Sequence, residues 1–151
     1  VISFVLGSAP TELKIPKFDR LICIAASIKD IDRIPDLTII ETHVLGQSTR
    51  REKIRGSKTK KLQVVNAGVW NRYKRFKELL DFKEYEDITP YGRRLTTEKI
   101  LKKHLEVTCG VFAICQELNQ GNKVIVNRVS FQRRQDAEAY KILKNKIKWL
   151  K

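Results

Sequence analysis

The apolar residues of the first forty positions come in short blocks. Ile2-Ser3-Phe4-Val5-Leu6 is a β-rich run that stops at the turn signal Gly7-Ser8-Ala9-Pro10, and it predicts a first strand. Glu12-Leu13-Lys14-Ile15 alternates polar and apolar up to Pro16 and predicts a second. Leu21-Ile22-Cys23-Ile24-Ala25 is uninterrupted, as in a central strand buried on both faces. Ser27 to Ile34 has room for a turn or two of helix before Pro35, and the β-branched Leu37-Thr38-Ile39-Ile40, ending on Glu41, predicts a fourth strand.

Beyond residue 68 the spacing becomes helical. Val69, Tyr73, Phe76 and Leu80 make one stripe, with Arg72, Lys74, Arg75 and Lys77 largely around the other side. Thr89-Pro90-Tyr91-Gly92 interrupts the pattern. Thr96 or Thr97 then caps a long helix carrying Leu101, Leu105, Val111, Phe112, Cys115 and Leu118, closed by Gln120-Gly121-Asn122. Lys123 to Val129 predicts a strand, and Ala137, Tyr140, Leu143, Ile147 and Leu150 form a last helical stripe. This order implies an α/β or α+β layer structure, a mixed sheet of about five strands covered by three main helices.

With 151 residues the chain is near the usual size of one domain, and residues 1–151 are expected to form one. Charge changes the picture most. Lys and Arg number 31 against 17 Asp and Glu. Residues 50–61 hold seven basic side chains and one acid in twelve positions, and burying such a run unpaired would be prohibitive. A mobile basic loop at 47–62 is the expectation. Three cysteines, Cys23, Cys109 and Cys115, form no CxxC pair, which fits a reducing, intracellular setting without a disulfide framework. No apolar run reaches the ~18 to 20 residues that span a bilayer, and Val1 to Leu6 lacks the basic flank of a secretory signal. The chain begins without Met, which leaves a removed leader open.

A basic excess of this kind is an electrostatic footprint for a polyanion. The expected function is non-catalytic binding of nucleic acid, RNA ahead of DNA, alongside other proteins of a ribonucleoprotein, transcription or recombination assembly. The expected contacts are Arg50, Arg51, Lys53, Arg55, Lys58, Lys60 and Lys61 of the basic stretch, then Arg72, Lys74 and Arg75, the pair Arg93-Arg94 and the pair Arg133-Arg134. Trp70 is a candidate for stacking unpaired bases, with Trp149 a second. No cofactor and no metal site are expected. The turn at Gly7 lacks the glycine-rich spacing of a nucleotide loop, and His43 and His104 are too isolated in sequence to suggest a catalytic triad. A basic module for an acidic protein partner is another reading.

Three carboxylates carry a further alternative. Ile2-Ser3-Phe4-Val5-Leu6-Gly7 as first strand and glycine turn, Thr38-Ile39-Ile40-Glu41 as an acid-bearing strand, and Asp136-Ala137-Glu138-Ala139 as a helical acidic motif together resemble the RuvC-type Holliday-junction resolvases. The resemblance implies a ribonuclease H-like fold and a Mg-dependent, structure-specific nuclease with Glu41, Asp136 and Glu138 as metal ligands. It also requires a first-strand aspartate, where this chain has Val5 and Leu6. That departure implies a scaffold that grips nucleic acid without cutting it, as in mitochondrial transcription elongation factors that resemble degenerate resolvases.

Overall fold

Three of the early apolar blocks form the strands β1 (Ile2–Leu6), β2 (Arg20–Ile24) and β3 (Leu37–Glu41) in a computed structural model that describes residues 1–65 and 72–151. Their inner residues are buried on both faces, so no polar alternation marks them. β4 (Lys58–Val65) and β5 (Asp81–Ile88) extend the sheet on the β3 side. β6 (Lys123–Asn127) and β7 (Ile147–Leu150) extend it on the other. The order is β5-β4-β3-β2-β1-β6-β7, and every adjacent pair runs parallel.

The class is therefore α/β, but among the described residues the sheet has seven parallel strands where about five in a mixed sheet were expected. Both added strands are edges. β5 buries only Phe82 completely and is otherwise dominated by Asp81, Lys83, Glu84, Glu86 and Asp87, so it shows no apolar block. In β7, Ile147 and Leu150 lie three apart, a spacing that reads equally as helix. Residues 12–15, expected as a strand, instead cross between β1 and β2, held where Asn127 Oδ1 accepts the Lys14 N–H at 3.0 Å.

Among the described residues five α-helices stand where three were expected. They are α1 (Ser48–Ile54), α2 (Tyr73–Leu79), α3 (Pro90–Leu101), α4 (Cys109–Asn119) and α5 (Arg134–Leu143). The expected loop at 47–62 is α1, a turn at Arg55-Gly56 and the first part of β4, because Ile54, Ser57, Thr59 and Leu62 all find buried positions. The single long helix expected after Thr97 is two. Thr89-Pro90 is a start signal, the Thr89 hydroxyl accepting the Gly92 N–H at 3.0 Å and proline taking the first helical position. Lys102, left-handed at φ 61°, ends α3, and Leu105 and Val107 anchor the link to α4.

Helices cover both faces. α3, α4 and α5 pack on Val5, Ile22, Ile39 and Val126. α1, α2 and the 3-10 turns at Ala25–Lys29 and Thr42–Gly46 pack on Phe4, Leu6, Cys23, Ile40 and Val64. From β1 to β5 the chain steps steadily outward. α3 and α4 then carry it back over the opposite face to β6, on the far side of β1. No helix among the described residues is long and apolar enough to cross a membrane.

Candidate functional site

A doubly wound sheet opens a crevice at the carboxyl ends of its strands where successive connections depart in opposite directions. Here that point is β1, flanked by β2 and β6. A crevice of about 1000 Å³ lies there, lined by Gly7 to Ala9 after β1, Ile24 to Ala26 after β2, Glu41 and His43 after β3, Arg128 to Ser130 after β6, and Thr108 to Gly110 at the start of α4.

Its floor is tightly built. A Cβ on Gly7 would stand 2.1 Å from the Arg128 carbonyl oxygen, so only glycine lets these two chain segments approach. Ala25 and Arg128 both hold positive φ, at 48° and 62°, a conformation that side chains resist unless the surroundings impose it. The surroundings do. The Ser27 hydroxyl donates to the Leu6 carbonyl at 2.8 Å and accepts the Ile24 N–H at 2.9 Å. Arg128 donates from Nε to the Ala9 carbonyl at 2.9 Å and pairs with Asp30 at 3.2 Å.

One wall carries a linked polar group. Glu41 Oε2 lies 2.8 Å from His43 Nδ1. Its Oε1 accepts the Cys109 thiol at 3.2 Å and faces Arg93 at 3.5 Å; Arg93 also donates to the Val107 carbonyl. Burial first, then the neighbouring Glu41 charge, pushes the Cys109 thiol up, so it stays a protonated donor rather than a thiolate. Burial likewise raises Cys23 and Cys115 to about 12. The other ring nitrogen of His43, Nε2, stands 3.4 Å from Arg50 Nη1. Glu41 thus orients an imidazole at the crevice wall.

Cations dominate the rest. Lys29, Arg50, Lys53, Arg128 and Arg133 line the crevice against the carboxylates Asp30, Glu41 and Asp136. Lys29 donates to the Arg55 carbonyl at 2.8 Å and Arg128 is held as above. Lys53, on α1, and Arg133, the N-cap of α5, approach from opposite faces of the sheet.

The crevice gathers only part of the expected basic set: Arg50, Lys53 and Arg133. Arg51 donates to the Leu45 carbonyl at 2.9 Å, and Arg55 grips Glu52 at 2.6 Å. Lys60 pairs with Asp36 at 3.1 Å, Lys61 with Glu86 at 3.0 Å and Arg94 with Glu98 at 2.8 Å. Lys58, Lys74, Arg75 and Arg134 are exposed elsewhere, Arg72 is half-buried, and Arg93 is committed to Glu41. Trp70 lies outside the described residues, and Trp149 packs edge-on against Phe131 and Tyr140. Of the three acids expected as ligands, Glu41 and Asp136 line the crevice while Glu138 pairs with Lys103 at 3.3 Å. Among the described residues no group of three or more His, Cys, Asp or Glu is placed to hold a metal ion. Sequence reasoning missed Gly7, Lys29, His43 and Arg128 as crevice residues; the strand-to-glycine turn at Leu6-Gly7 was the only local signal for any of them.

Fold and crevice together define a doubly wound α/β protein with a cationic pocket at its switch point. No known family matches the chain, and no curated protein matches it.

Proposed function

We propose that this protein binds a phosphate-bearing small molecule in the switch-point crevice. The observation that carries the reading is the placement of Lys53 and Arg133 on opposite sides of that crevice, neither tied to a carboxylate among the described residues. Such a concave cationic site, formed between rigid strand ends and backed by apolar wall, concentrates anions and orients them. Calorimetric titration with inorganic pyrophosphate tests it. The wild type should bind, and Lys53→Gln combined with Arg133→Gln should lose about tenfold or more in affinity without a change in unfolding midpoint. Equal affinity in the two proteins refutes the reading.

A separate observation favours a second reading, binding of nucleic acid, RNA ahead of DNA, within a larger complex. Arg134, Lys141, Lys144, Lys146, Lys148 and Lys151 are all exposed on α5, β7 and the residues flanking that strand. Over the same stretch Asp136 is buried and Glu138 is paired. If each of the six cations neutralises one phosphate of single-stranded RNA, log K should fall with log salt at a slope near −4. Replacing Lys141, Lys144, Lys146 and Lys148 by Gln should flatten it by about 3, as read by fluorescence anisotropy. A slope unchanged by that substitution removes this surface from the interface.

A further inference from the structure

Asp136 is 1% exposed and lines the crevice from the first turn of α5. Its Oδ1 accepts the Thr108 N–H at the start of α4, at 3.0 Å. Its Oδ2 meets no donor among the described residues. A buried carboxylate oxygen without a donor is costly, and native structures seldom leave one so without a role. Phosphate does not relieve it, because two anionic oxygens repel. What relieves it is a neutral donor on the ligand, a hydroxyl or an N–H.

Asp136 follows Arg133 by three residues across the start of the same helix, so the cation and the carboxylate address neighbouring parts of one ligand. The two suit opposite chemistry there: an anion such as phosphate beside Arg133 and a hydrogen-bond donor beside Asp136. Lys53, across the crevice, offers a second cation to an anionic group. The same crevice has apolar lining for a ring, from Ile24, Ile39, Val44, Ile54 and Val129. The volume of about 1000 Å³ is far beyond a lone phosphate and lies at the top of the range for whole small-molecule sites. Phosphates, a hydroxyl-bearing ring and a flat apolar face in one molecule describe a nucleotide.

We infer that the ligand is a ribonucleoside diphosphate whose ribose hydroxyl donates to Asp136 Oδ2, while Lys53 and Arg133 take its phosphates. This rests on the reading of the crevice as a phosphate site. Asp136 is then the residue that distinguishes a nucleotide from a simple phosphate anion.

The test is calorimetry with inorganic pyrophosphate, the four ribonucleoside diphosphates and their 2′,3′-dideoxy forms, on the wild type and on Asp136→Asn. The substitution keeps an oxygen for the Thr108 N–H, so the tie from α5 to the start of α4 is retained; a thermal melt checks this. In the wild type at least one ribonucleotide should bind about tenfold tighter than both its dideoxy form and pyrophosphate. In Asp136→Asn the preference for the ribo over the dideoxy form should shrink several-fold, and pyrophosphate, freed of a neighbouring negative charge, should bind no more weakly than to the wild type. If the wild type binds pyrophosphate but treats ribo and dideoxy forms equally, the phosphate site stands and the nucleotide inference falls. It falls also if Asp136→Asn discriminates as well as the wild type. If neither pyrophosphate nor any nucleotide binds, the phosphate reading itself has failed. Should the variant not fold, the ribo against dideoxy comparison on the wild type decides alone.

Discussion

Adding one methyl group at Gly7 should damage both the fold and the crevice. The new Cβ would meet the Arg128 carbonyl oxygen at 2.1 Å, its carbon at 2.7 Å and Val129 Cγ2 at 2.9 Å. To reach even a close carbon–oxygen contact of about 3.3 Å, the segments after β1 and β6 must part by about 1.2 Å. They are tied by the Gly7 N–H to the Asn127 carbonyl at 2.9 Å and the Ala9 N–H to the Arg128 carbonyl at 3.0 Å. Overpacking of this kind costs about 1–3 kcal/mol, and loosening one or two of those bonds adds about 0.5–1.5 kcal/mol each. Gly7→Ala should therefore lose about 1.5–6 kcal/mol, measured by urea unfolding followed by circular dichroism. Gly56→Ala is the control: it has no atom within 4 Å of its added methyl but holds φ 80°, so it bears only the left-handed penalty of about 1–2 kcal/mol. The folded fraction of Gly7→Ala should also bind pyrophosphate more weakly, since the crevice floor has moved. A loss below about 1 kcal/mol with pyrophosphate affinity intact would refute the argument that this approach builds the site.

Three further outcomes are expected. Arg20→Met should destabilise by about 2–3 kcal/mol in urea unfolding, below the full cost of breaking a buried pair because Arg20 is 30% exposed while Glu117, which it contacts at 2.9 Å, is fully buried; adding Glu117→Gln should recover part of the loss. Asp36 feels burial, which raises its pKa, but hydrogen bonds from the Leu21 N–H and Lys60 outweigh it and hold the carboxyl below its ordinary value. Its stabilisation is therefore complete above the unfolded value of about 3.9 and disappears as pH falls through the lower folded value. Asp36→Asn should be less stable than the wild type at pH 7, with a gap that closes below about pH 4; a gap constant down to pH 2 contradicts this. Thr89→Ala should cost about 1 kcal/mol by removing the cap of α3, read as a lower unfolding midpoint.

The central strands were legible because parallel strands buried on both faces must be continuously apolar, as Phe4-Val5-Leu6 and Leu21-Ile22-Cys23-Ile24 are. β5 was not, because Asp81 to Ile88 is an edge that meets solvent along most of its length. The basic stretch misled for a related reason. Lys58, Lys60 and the intervening Thr59 alternate exposed and buried, which is a strand pattern hidden under its charge. The crevice was the least readable part. His43 and Lys53 come from the β3-to-β4 connection and Arg128, Arg133 and Asp136 from the β6-to-β7 connection, and only the reversal of the chain at β1 brings the two together. Asp136 was noticed as an acid near a helix start; its unanswered oxygen is a property of packing that no local pattern carries.

The sheet's two free edges differ in sign. β5 carries Asp81, Glu84, Glu86 and Asp87 with one Lys83, Asp81 and Glu86 being paired with Lys77 and Lys61, whereas β7 and its flanks present Lys144, Lys146, Lys148 and Lys151 without an acid. Six inter-strand steps of about 4.8 Å set these edges about 29 Å apart, more than three times the Debye length of about 8 Å at physiological ionic strength. They therefore behave as independent poles. A polyanion arriving at β7 is screened from the acids of β5, and a cation or basic protein arriving at β5 is screened from the lysines of β7. A net positive molecule thus keeps one edge whose own charges are mostly acidic, and only in dilute salt, where the Debye length approaches the width of the sheet, does the field of one edge reach the other.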